Sequence, residues 1–246
     1  MTTSSYSYHL QPPRVRAEFF RLLPISLFVI AFGAAFGLAA TQEGLEPLQA
    51  LLMSTVVFAG ASQFAAVDMW GAEVSLVPMM AVVFAINSRH LLMGASLYPM
   101  LRDMSPGRRY ALLLLLTDAN WAVSAQEYQN GRRNLEVIVG GGLALWLAWV
   151  LGTGLGVYFG GLLRDPHSLG LDMVLGCFLL AMALGGRKTP RTLVAWAVAA
   201  LASLAAWYWL PPNTHVVVGA LAGGVIGFFW LEPHRTGDHD AEGRAQ

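Results

Sequence analysis

The hydrophobic positions of this chain form long uninterrupted runs. Residues 22–42, 47–67, 137–163 and 192–231 contain no Asp, Glu, Lys or Arg. An apolar run of about 18 residues is long enough to cross a bilayer as a helix, and a helix satisfies its own backbone hydrogen bonds, which lipid cannot do. The pattern therefore predicts an all-α fold, a polytopic membrane helical bundle.

The runs and the prolines between them predict seven to eight apolar segments, some of them broken or re-entrant. The segments cover residues 22–42, 47–70, 74–101, 110–127, 136–163, 169–186, 192–210 and 214–231. Residues 1–21 are polar and predict a cytoplasmic N-terminal segment. Residues 22–231 predict a single membrane domain, and residues 232–246 have the composition of a disordered polar tail.

Positively charged residues fall in four clusters. They are Arg14, Arg16 and Arg21; Arg102, Arg108 and Arg109; Arg132 and Arg133; and Arg187, Lys188 and Arg191. Because Lys and Arg concentrate on the cytoplasmic side of a membrane, all four clusters are expected there. Segment 110–127 lies between two of them. It is either re-entrant or a short hairpin, or else one cluster departs from the rule.

Composition agrees with a bilayer environment and excludes several classes of function. The chain is 56% hydrophobic and 12% charged, whereas soluble domains carry about 25% charged residues. The formal net charge is zero, so no nucleic-acid partner is indicated. Cys177 is the only cysteine, and no zinc-protease, nucleophile-elbow or Walker motif occurs. We therefore expect no metal site, no cofactor and no enzyme activity.

Two glycine pairs suggest an internal repeat. Gly33 and Gly37 match Gly152 and Gly156 at a constant separation of 119 residues (152 − 33). Many secondary transporters consist of two such halves, so the sequence predicts a two-fold internal repeat with these glycines at helix contacts. Glycine is abundant here, with 26 copies, and a chance match stays open. Phe58 and Phe178, which are 120 residues apart (178 − 58), extend the possible repeat into the next segments.

The third segment carries polar residues in its middle. As one helix, residues 74–101 would be about 42 Å long, against a hydrocarbon core of about 30 Å. Asn87, Arg89 and His90 lie near its centre. We expect the helix to break at residues 87–90, which would expose backbone groups and bring these side chains together around a polar ligand.

Two structural interpretations of Arg89 compete with the functional one. A long tilted helix would let Arg89 extend toward the membrane interface along its aliphatic stem. Alternatively, Arg89 forms a structural ion pair with Asp68, Asp118 or Asp172. Ionisable groups inside membrane segments are functional by default, and the sequence leaves the choice open.

Further polar residues lie in apolar surroundings. Gln63 follows Gly60 in "FAGASQF", where small residues let a helix bend or pack closely, and it bonds either a neighbouring helix or a ligand. Ser96 follows Arg89 closely enough to line the same site, and so does Gly94, which is also predicted as a helix-packing or hinge glycine.

Asp118 and Asn120 follow five leucines in "LLLLLTDANWAVS". A carboxylate at this position either carries a proton, binds an ammonium group or pairs with Arg89. The structural alternative is a helix cap, with Thr117 or Asp118 capping a helix that begins at Ala119.

Four stretches together resemble the AzlC-like permeases. They are "FGAAFGLAA", "VFAGASQFAAVDMW", "INSRHLLMGASLYPMLR" and "LLTDANWAVS". The resemblance extends in order from about residue 18 to 210, and "NSRHLLMGASLYP" is its most specific part. The stretch "TDANWA" departs from the family pattern after the aspartate, which affects the local detail at Asp118.

The resemblance implies export of branched-chain amino acids across a bacterial cytoplasmic membrane, together with a small AzlD-like membrane subunit. The residues fit this role. Arg89 suits a substrate carboxylate, and Asp118 suits its ammonium or a coupled proton. Without a nucleotide motif, an ion gradient is the expected energy source, most simply protons through His90 and Asp118. A passive channel and a purely structural subunit are the competing functions.

Overall fold

The computed structural model describes residues 10–70, 76–160, 190–210 and 214–229. Every element in this part of the chain is helical, which confirms the all-α class. The chain divides into two compact units, Met1–Gly185 and Gly186–Gln246, each described by itself. The predicted tail and segment 169–186 lie outside the described residues.

In its described residues, the first unit has seven α-helices and one π-helical turn. They are α1 (Pro12–Gln42), α2 (Pro47–Val57), α3 (Gly60–Asp68), α4 (Leu76–Leu101), α5 (Pro106–Leu113), α6 (Asp118–Gln129), the π-helical turn Val137–Gly141, and α7 (Gly142–Gly160). Two predicted segments, 47–70 and 110–127, are therefore each divided into two short helices. Helix α1 begins ten residues before the predicted segment.

Three helices between residues 10 and 160 are long and apolar enough to cross a membrane. They are α1, α4 and the continuous helix Val137–Gly160 that includes the π-helical turn and α7. In the second unit, α8 (Pro190–Trp209) also meets this criterion. The seven to eight predicted segments are thus four span-length helices and several shorter ones in the described part of the chain.

Helices α1 and α7 run parallel and pack through their glycines. A Cβ on Gly33 would lie 2.7 Å from the Trp149 carbonyl oxygen, and one on Gly37 would overlap the Thr153 carbonyl. Gly152 and Gly156 are equally close to the α1 backbone. The four glycines predicted to be related thus meet at one interface, where only a hydrogen fits between the backbones. The repeat itself stays a prediction, because Phe178 lies outside the described residues.

Helices α2 and α3 form the first hairpin, residues 47–68. Pro47 begins α2, and a reciprocal capping box between Glu46 and Gln49 fixes its first turn. Phe58 ends α2 in the left-handed region, at φ 43°, and α3 starts two residues later. This backbone reversal divides the predicted segment.

The first hairpin folds back along α1. Gly60 lies against Phe32, and Phe64 contacts both Phe32 and Phe36, at centroid distances of 5.1 and 5.5 Å. Helix α3 therefore runs toward the C-terminal end of α1. Val67, near the end of α3, belongs to the same buried cluster as Leu45, which precedes α2.

Helix α4 is continuous from Leu76 to Leu101, so the prediction of a break at residues 87–90 is wrong. Residues 87–90 contain no glycine or proline, and Ser88 Oγ donates to the Ala85 carbonyl at 2.7 Å without opening the helix. Asn87 and Arg89 find partners on other helices. Their polar atoms therefore do not require an interruption of α4.

Helices α5 and α6 form the second hairpin, residues 106–129, which leaves and returns to the same end of the unit. The Arg133 guanidinium donates to Asp103 at 3.0 Å, so the two ends of the hairpin meet. With eight and twelve residues, the two helices are about 12 and 18 Å long, too short to span a bilayer. Of the three interpretations of segment 110–127, the structure agrees with the short hairpin.

The tip of the second hairpin packs against the π-helical turn and the residue that follows it. A Cβ on Gly142 would lie 2.6 Å from the Leu115 carbonyl oxygen at the tip of the hairpin. A Cβ on Gly140 would overlap the Val15 carbonyl of α1. Consecutive glycines at residues 140–142 thus let α1 and the hairpin tip approach the same stretch of backbone.

In the described residues of the second unit, α8 and α9 (Thr214–Phe229) form an antiparallel pair. Gly219 lies close to Ser203, and Gly223 lies close to Ala199. The ring of Trp207 is edge-on to His215 at 5.0 Å. Small residues therefore form this interface, as is common between membrane helices.

Candidate functional site

The tip of the second hairpin meets the middle of α4 through an ion pair. Arg89 Nη1 lies 3.2 Å from Asp118 Oδ2, and Asp118 is the first residue of α6. At about 1.5 Å per residue, Arg89 lies about 20 Å from Leu76 and about 18 Å from Leu101. Of the three aspartates predicted as partners, Asp118 fills this role. Asp68 is exposed, and Asp172 lies outside the described residues.

The tip of the first hairpin meets α4 on its opposite face. Asn87 Nδ2 donates to Ser62 Oγ at 3.1 Å. Asn87 and Arg89 are two residues apart, which is about 200° around a helix. Helix α4 therefore passes between the two hairpin tips. The expectation that these side chains gather around a break in α4 is corrected for Asn87 and Arg89, which point from opposite sides of a continuous helix.

The Arg89–Asp118 pair retains hydrogen-bonding capacity. The Arg89 and Asp118 side chains are 29% and 37% exposed, so the pair is neither fully buried nor freely solvated. Arg89 Nε is buried and has no hydrogen-bond partner among the described residues. A guanidinium carries five N–H donors, and Asp118 engages it through one short contact. Donors therefore remain for a further anionic or polar group.

The N-terminus of α6 favours a carboxylate at Asp118. Unpaired backbone N–H groups and the helix dipole give the first turn of a helix partial positive charge. Asp118 therefore lies between two positive partners, the start of α6 and Arg89. Thr117, not Asp118, is the cap of this helix, which begins one residue earlier than expected.

The Asn120 side chain uses its hydrogen bonds to hold the tip of the second hairpin. Its Oδ1 accepts from Thr117 N at 2.8 Å, and its Nδ2 donates to the carbonyls of Leu115 at 2.7 Å and Ile138 at 3.3 Å. The side chain is fully buried. Asn120 was predicted as a site residue, and these bonds supply a structural reason for an amide here. Its binding role stays a prediction.

Gln63 also lies in a buried polar network. Its Oε1 accepts from Ala59 N at 3.1 Å, and its Nε2 donates to Ser54 Oγ at 3.4 Å. Ser54 in turn bonds Thr153 on α7, with 2.8 Å between the hydroxyl oxygens. Gln63 therefore joins the break after Phe58 to α7.

Ser96 and Gly94 lie further along α4. Ser96 Oγ accepts from Trp121 Nε1 and donates to the Met93 carbonyl, at 2.8 and 2.7 Å. Being seven residues beyond Arg89, it shares the face that meets α6. A Cβ on Gly94 would meet only Leu113, at an ordinary 3.8 Å. Of the predicted helix-packing glycines, Gly33, Gly37 and Gly60 thus have close neighbours, whereas Gly94 does not.

A cluster at the base of the second hairpin was missed by the sequence analysis. Arg21 on α1 donates to Glu127 at 2.6 Å and to Glu18 at 3.1 Å, and Asn134 donates to both glutamates. Burial would raise the pKa of Glu127, but the bonds from Arg21 and Asn134 outweigh it and lower the pKa below its usual 4.5. These residues flank apolar segments, where charges are ordinarily solvated.

Sequence comparison finds a matching protein family and several related membrane proteins. The AzlC protein family matches residues 24–163. The inner membrane protein YgaZ of Escherichia coli is 33% identical over 213 residues, covering 83% of this chain and 84% of that protein. An uncharacterized membrane protein of Archaeoglobus fulgidus is 30% identical over 208 residues, covering 82% and 89%.

A third relative is named for transport. The branched-chain amino acid transport protein AzlC of Bacillus subtilis is 22% identical over 203 residues, covering 74% of this chain and 77% of that protein. No solved structure matches the chain. The family match covers more than half of the sequence, including both hairpins and the Arg89–Asp118 pair, and the chain belongs to the AzlC family of membrane proteins.

Proposed function

We propose that this protein is a transporter subunit that exports branched-chain or similar small hydrophobic amino acids across a bacterial cytoplasmic membrane. The name of the Bacillus subtilis relative supports the substrate class, and that of the Escherichia coli relative supports the inner membrane. The single observation that carries the proposal is the Arg89–Asp118 pair at the middle of α4. Charges at such a depth are costly and are commonly retained for function.

An amino acid matches this pair in charge. Its carboxylate is a bidentate acceptor for the remaining N–H donors of Arg89, and its ammonium is a partner for Asp118. Because substrate and pair each carry one positive and one negative charge, binding leaves the site neutral and strands no charge.

An ion gradient is the proposed energy source, and a small AzlD-like membrane subunit is the proposed partner. Both come from the family resemblance and from the lack of a nucleotide motif in the sequence. Two other functions compete. A passive channel would release the amino acid without coupling, and a structural subunit would use Arg89 and Asp118 only to join α4 to the second hairpin.

Efflux from cells tests the proposal. Cells are loaded with labelled valine or leucine through a dipeptide, and export is followed with and without an uncoupler. Coupled export stops on uncoupling, whereas a passive channel continues to release substrate down its gradient. Export should fall at least tenfold in Arg89→Met and less in Arg89→Lys, which keeps the charge but loses the forked geometry. Unchanged export in both variants, at equal protein levels, would exclude a site at Arg89.

The partner is tested separately by expressing the chain alone and with a small AzlD-like subunit. We expect export only when both are present. Full export by the chain alone would remove the two-component part of the proposal and leave the substrate site intact.

A further inference from the structure

The side of α6 that turns into the protein is polar. Asn120, Ser124 and Glu127 are the buried residues of this helix, and their spacing of four and three residues places them on one side of it. The buried side of a helix is ordinarily apolar. Asn120 donates to Ile138 in the π-helical turn, and Glu127 accepts from Arg21 on α1. These three residues form a polar stripe that faces the π-helical turn and α1.

The polar stripe contains hydrogen-bonding capacity that the protein does not use. Ser124 is 1% exposed, and its Oγ has no hydrogen-bond partner among the described residues. Asn134 Oδ1, whose amide bonds Glu127 through Nδ2, is likewise buried and without a partner in this part of the chain. Such atoms are unfavourable unless water or a solute reaches them. Buried polar groups of membrane proteins commonly face such a path.

The polar stripe extends from the level of the Arg89–Asp118 pair to the base of the second hairpin. From Asp118 to Glu127 α6 rises about 14 Å, and Asn120 lies within one turn of Asp118. The other end lies near the cationic residues 132–133, which predict the cytoplasmic side. An exporter takes up its substrate from that side. The stripe therefore has the position and polarity of an entrance.

A charged contact closes the base of the polar stripe. Arg21 Nη1 lies 2.6 Å from Glu127 Oε1 and joins α1 to α6. The Glu127 side chain is 8% exposed, whereas that of Arg21 is 49% exposed. The guanidinium thus lies on the solvent side of the carboxylate and covers this end of the stripe.

The contact between Arg21 and Glu127 can separate without leaving either charge unpartnered. Arg21 also bonds Glu18, three residues earlier on α1, at 3.1 Å. Asn134 donates to Glu18 and to Glu127, at 2.9 and 2.8 Å. If α6 moves away from α1, Arg21 keeps Glu18 and Glu127 keeps Asn134. Because an uncompensated charge is the main cost of breaking a buried pair, these second partners favour reversible opening.

We propose that the polar stripe of α6 lines the cytoplasmic entrance to the Arg89–Asp118 pair, and that the Arg21–Glu127 contact is the gate that closes it. The hairpin opens at its base and stays attached at its tip, where Asn120 bonds Thr117 N and the π-helical turn. The entrance admits water and small polar solutes. It rests on the proposed function only for the identity of the solute, since opening is measured without transport.

Labelling of a thiol in the polar stripe measures the opening. Ser124→Cys is made in a Cys177→Ala background, which contains no other cysteine. The replacement is conservative, because Ser124 Oγ has no described bond to lose. In inside-out membrane vesicles, a charged methanethiosulfonate reagent reaches position 124 from the cytoplasmic side. We expect slow labelling with the natural gate and at least tenfold faster labelling when Glu127→Gln is added.

Two matched variants separate the gate from a general loosening of the hairpin. Glu18→Gln keeps the Arg21–Glu127 contact and removes only the second partner of Arg21, so labelling should be no faster than with the natural gate. Asp103→Asn breaks an ion pair with Arg133 that does not involve α1 and should leave labelling unchanged. Equally slow labelling in Glu127→Gln, or equally fast labelling in Glu18→Gln, would overturn the proposal.

Arg21→Lys keeps the test decisive if Glu127→Gln does not fold. Lysine keeps the positive charge but lacks the fork that holds two carboxylates, so labelling should be at least threefold faster than with the natural gate. An unchanged rate contradicts the gate. Gated labelling in a chain that exports no amino acid would reject the proposed function alone, whereas export with labelling that ignores Arg21 and Glu127 would reject this inference alone.

Discussion

The two hairpins meet the same stretch of α4 from opposite faces, and their tips differ in charge. The first joins α4 through neutral amides and hydroxyls, with the Asn87–Ser62 contact at its head. The second joins it through the Arg89–Asp118 ion pair. The first contact leaves Asn87 Oδ1 without a donor among the described residues, and the second leaves Arg89 Nε without an acceptor. The residues of α4 that meet the two hairpins therefore differ in the chemistry they offer.

The supports of the two hairpins differ as well. The first packs on the rigid α1–α7 pair through Phe64 and Gly60. The second is held at its base by the cluster of Arg21 and Glu127 and at its tip by Asn120. Movement of the second hairpin would therefore have to release ionic contacts, whereas movement of the first would disturb a close-packed core.

Removing the charge of Arg89, which pairs with the tip of the second hairpin, should have the largest effect on export and stability. Arg89→Met leaves Asp118 without its partner at membrane depth, so we expect export to be lost and stability to fall by about 2 kcal/mol, between the values for exposed and buried pairs. The double variant Arg89→Met with Asp118→Leu removes both charges and should recover the stability without the export. Thermal unfolding in detergent and efflux measure the two quantities. Recovery of export in the double variant would indicate a purely structural pair.

Glycine substitutions compare the α1–α7 interface, which supports the first hairpin, with the more open surface of α4. Gly37→Ala would place a Cβ on the Thr153 carbonyl, and such overpacking costs about 1–3 kcal/mol. Gly94→Ala is the matched control, because its Cβ would make an ordinary contact, and alanine favours the helix by up to about 1 kcal/mol. Thermal unfolding should therefore shift in opposite directions. A similar loss in both variants would mean that the close α1–α7 approach does not occur.

Substituting Asn120 and Gln63, the buried side-chain amides of the two hairpins, compares the hairpins directly. Asn120→Leu removes the partners of Thr117 N and of the Leu115 carbonyl, whereas the Ile138 carbonyl keeps the Gly142 N–H. Gln63→Leu removes the partner of Ala59 N alone, because Ser54 keeps its bond to Thr153. Each buried group left unsatisfied costs about 1–3 kcal/mol, so Asn120→Leu should be the more destabilising. Chemical unfolding of the two variants in the same detergent measures the difference. The reverse order would show that the first tip holds the unit together.

A pH series tests the base of the second hairpin and should give the smallest effect. The pKa of Glu127 is lowered in the folded protein by Arg21 and Asn134, so its stabilising contribution is complete above about pH 4.5 and is lost as pH falls through the folded value. The difference in unfolding temperature between the natural protein and Glu127→Gln should therefore shrink below that pH. Asp103→Asn, at an exposed ion pair, is the control. A difference independent of pH would contradict the account.

Much of the architecture could be predicted from the sequence. Hydropathy identifies the long helices, because the cost of burying charge in lipid keeps charged residues out of them. The cationic clusters place residues 102–109 and 132–133 together, which predicts the second hairpin. The glycine pairs at residues 33–37 and 152–156 predict close packing.

The positions of the breaks could not be predicted in the same way. Phe58 has no local reason to adopt a left-handed backbone, and only packing against α1 and α7 makes the reversal favourable. Arg89 suggested a break in α4 because it is a charge in an apolar segment. Since Asp118 pairs with Arg89, the helix stays continuous at this point. Helical periodicity separates Asn87 from Arg89 only once α4 is known to be continuous. Local sequence therefore identified polar residues, and tertiary contacts divided them between two faces.

Competition for labelled valine tests the central claim most directly. The purified chain is challenged with valine, with isobutylamine, which lacks the carboxylate, and with isovalerate, which lacks the ammonium. If Arg89 and Asp118 bind the two charges of one amino acid, each single-charge compound should compete at least about a hundredfold more weakly than valine, since each leaves one member of the pair unmatched. Displacement by either compound at the concentration that suffices for valine would contradict the account.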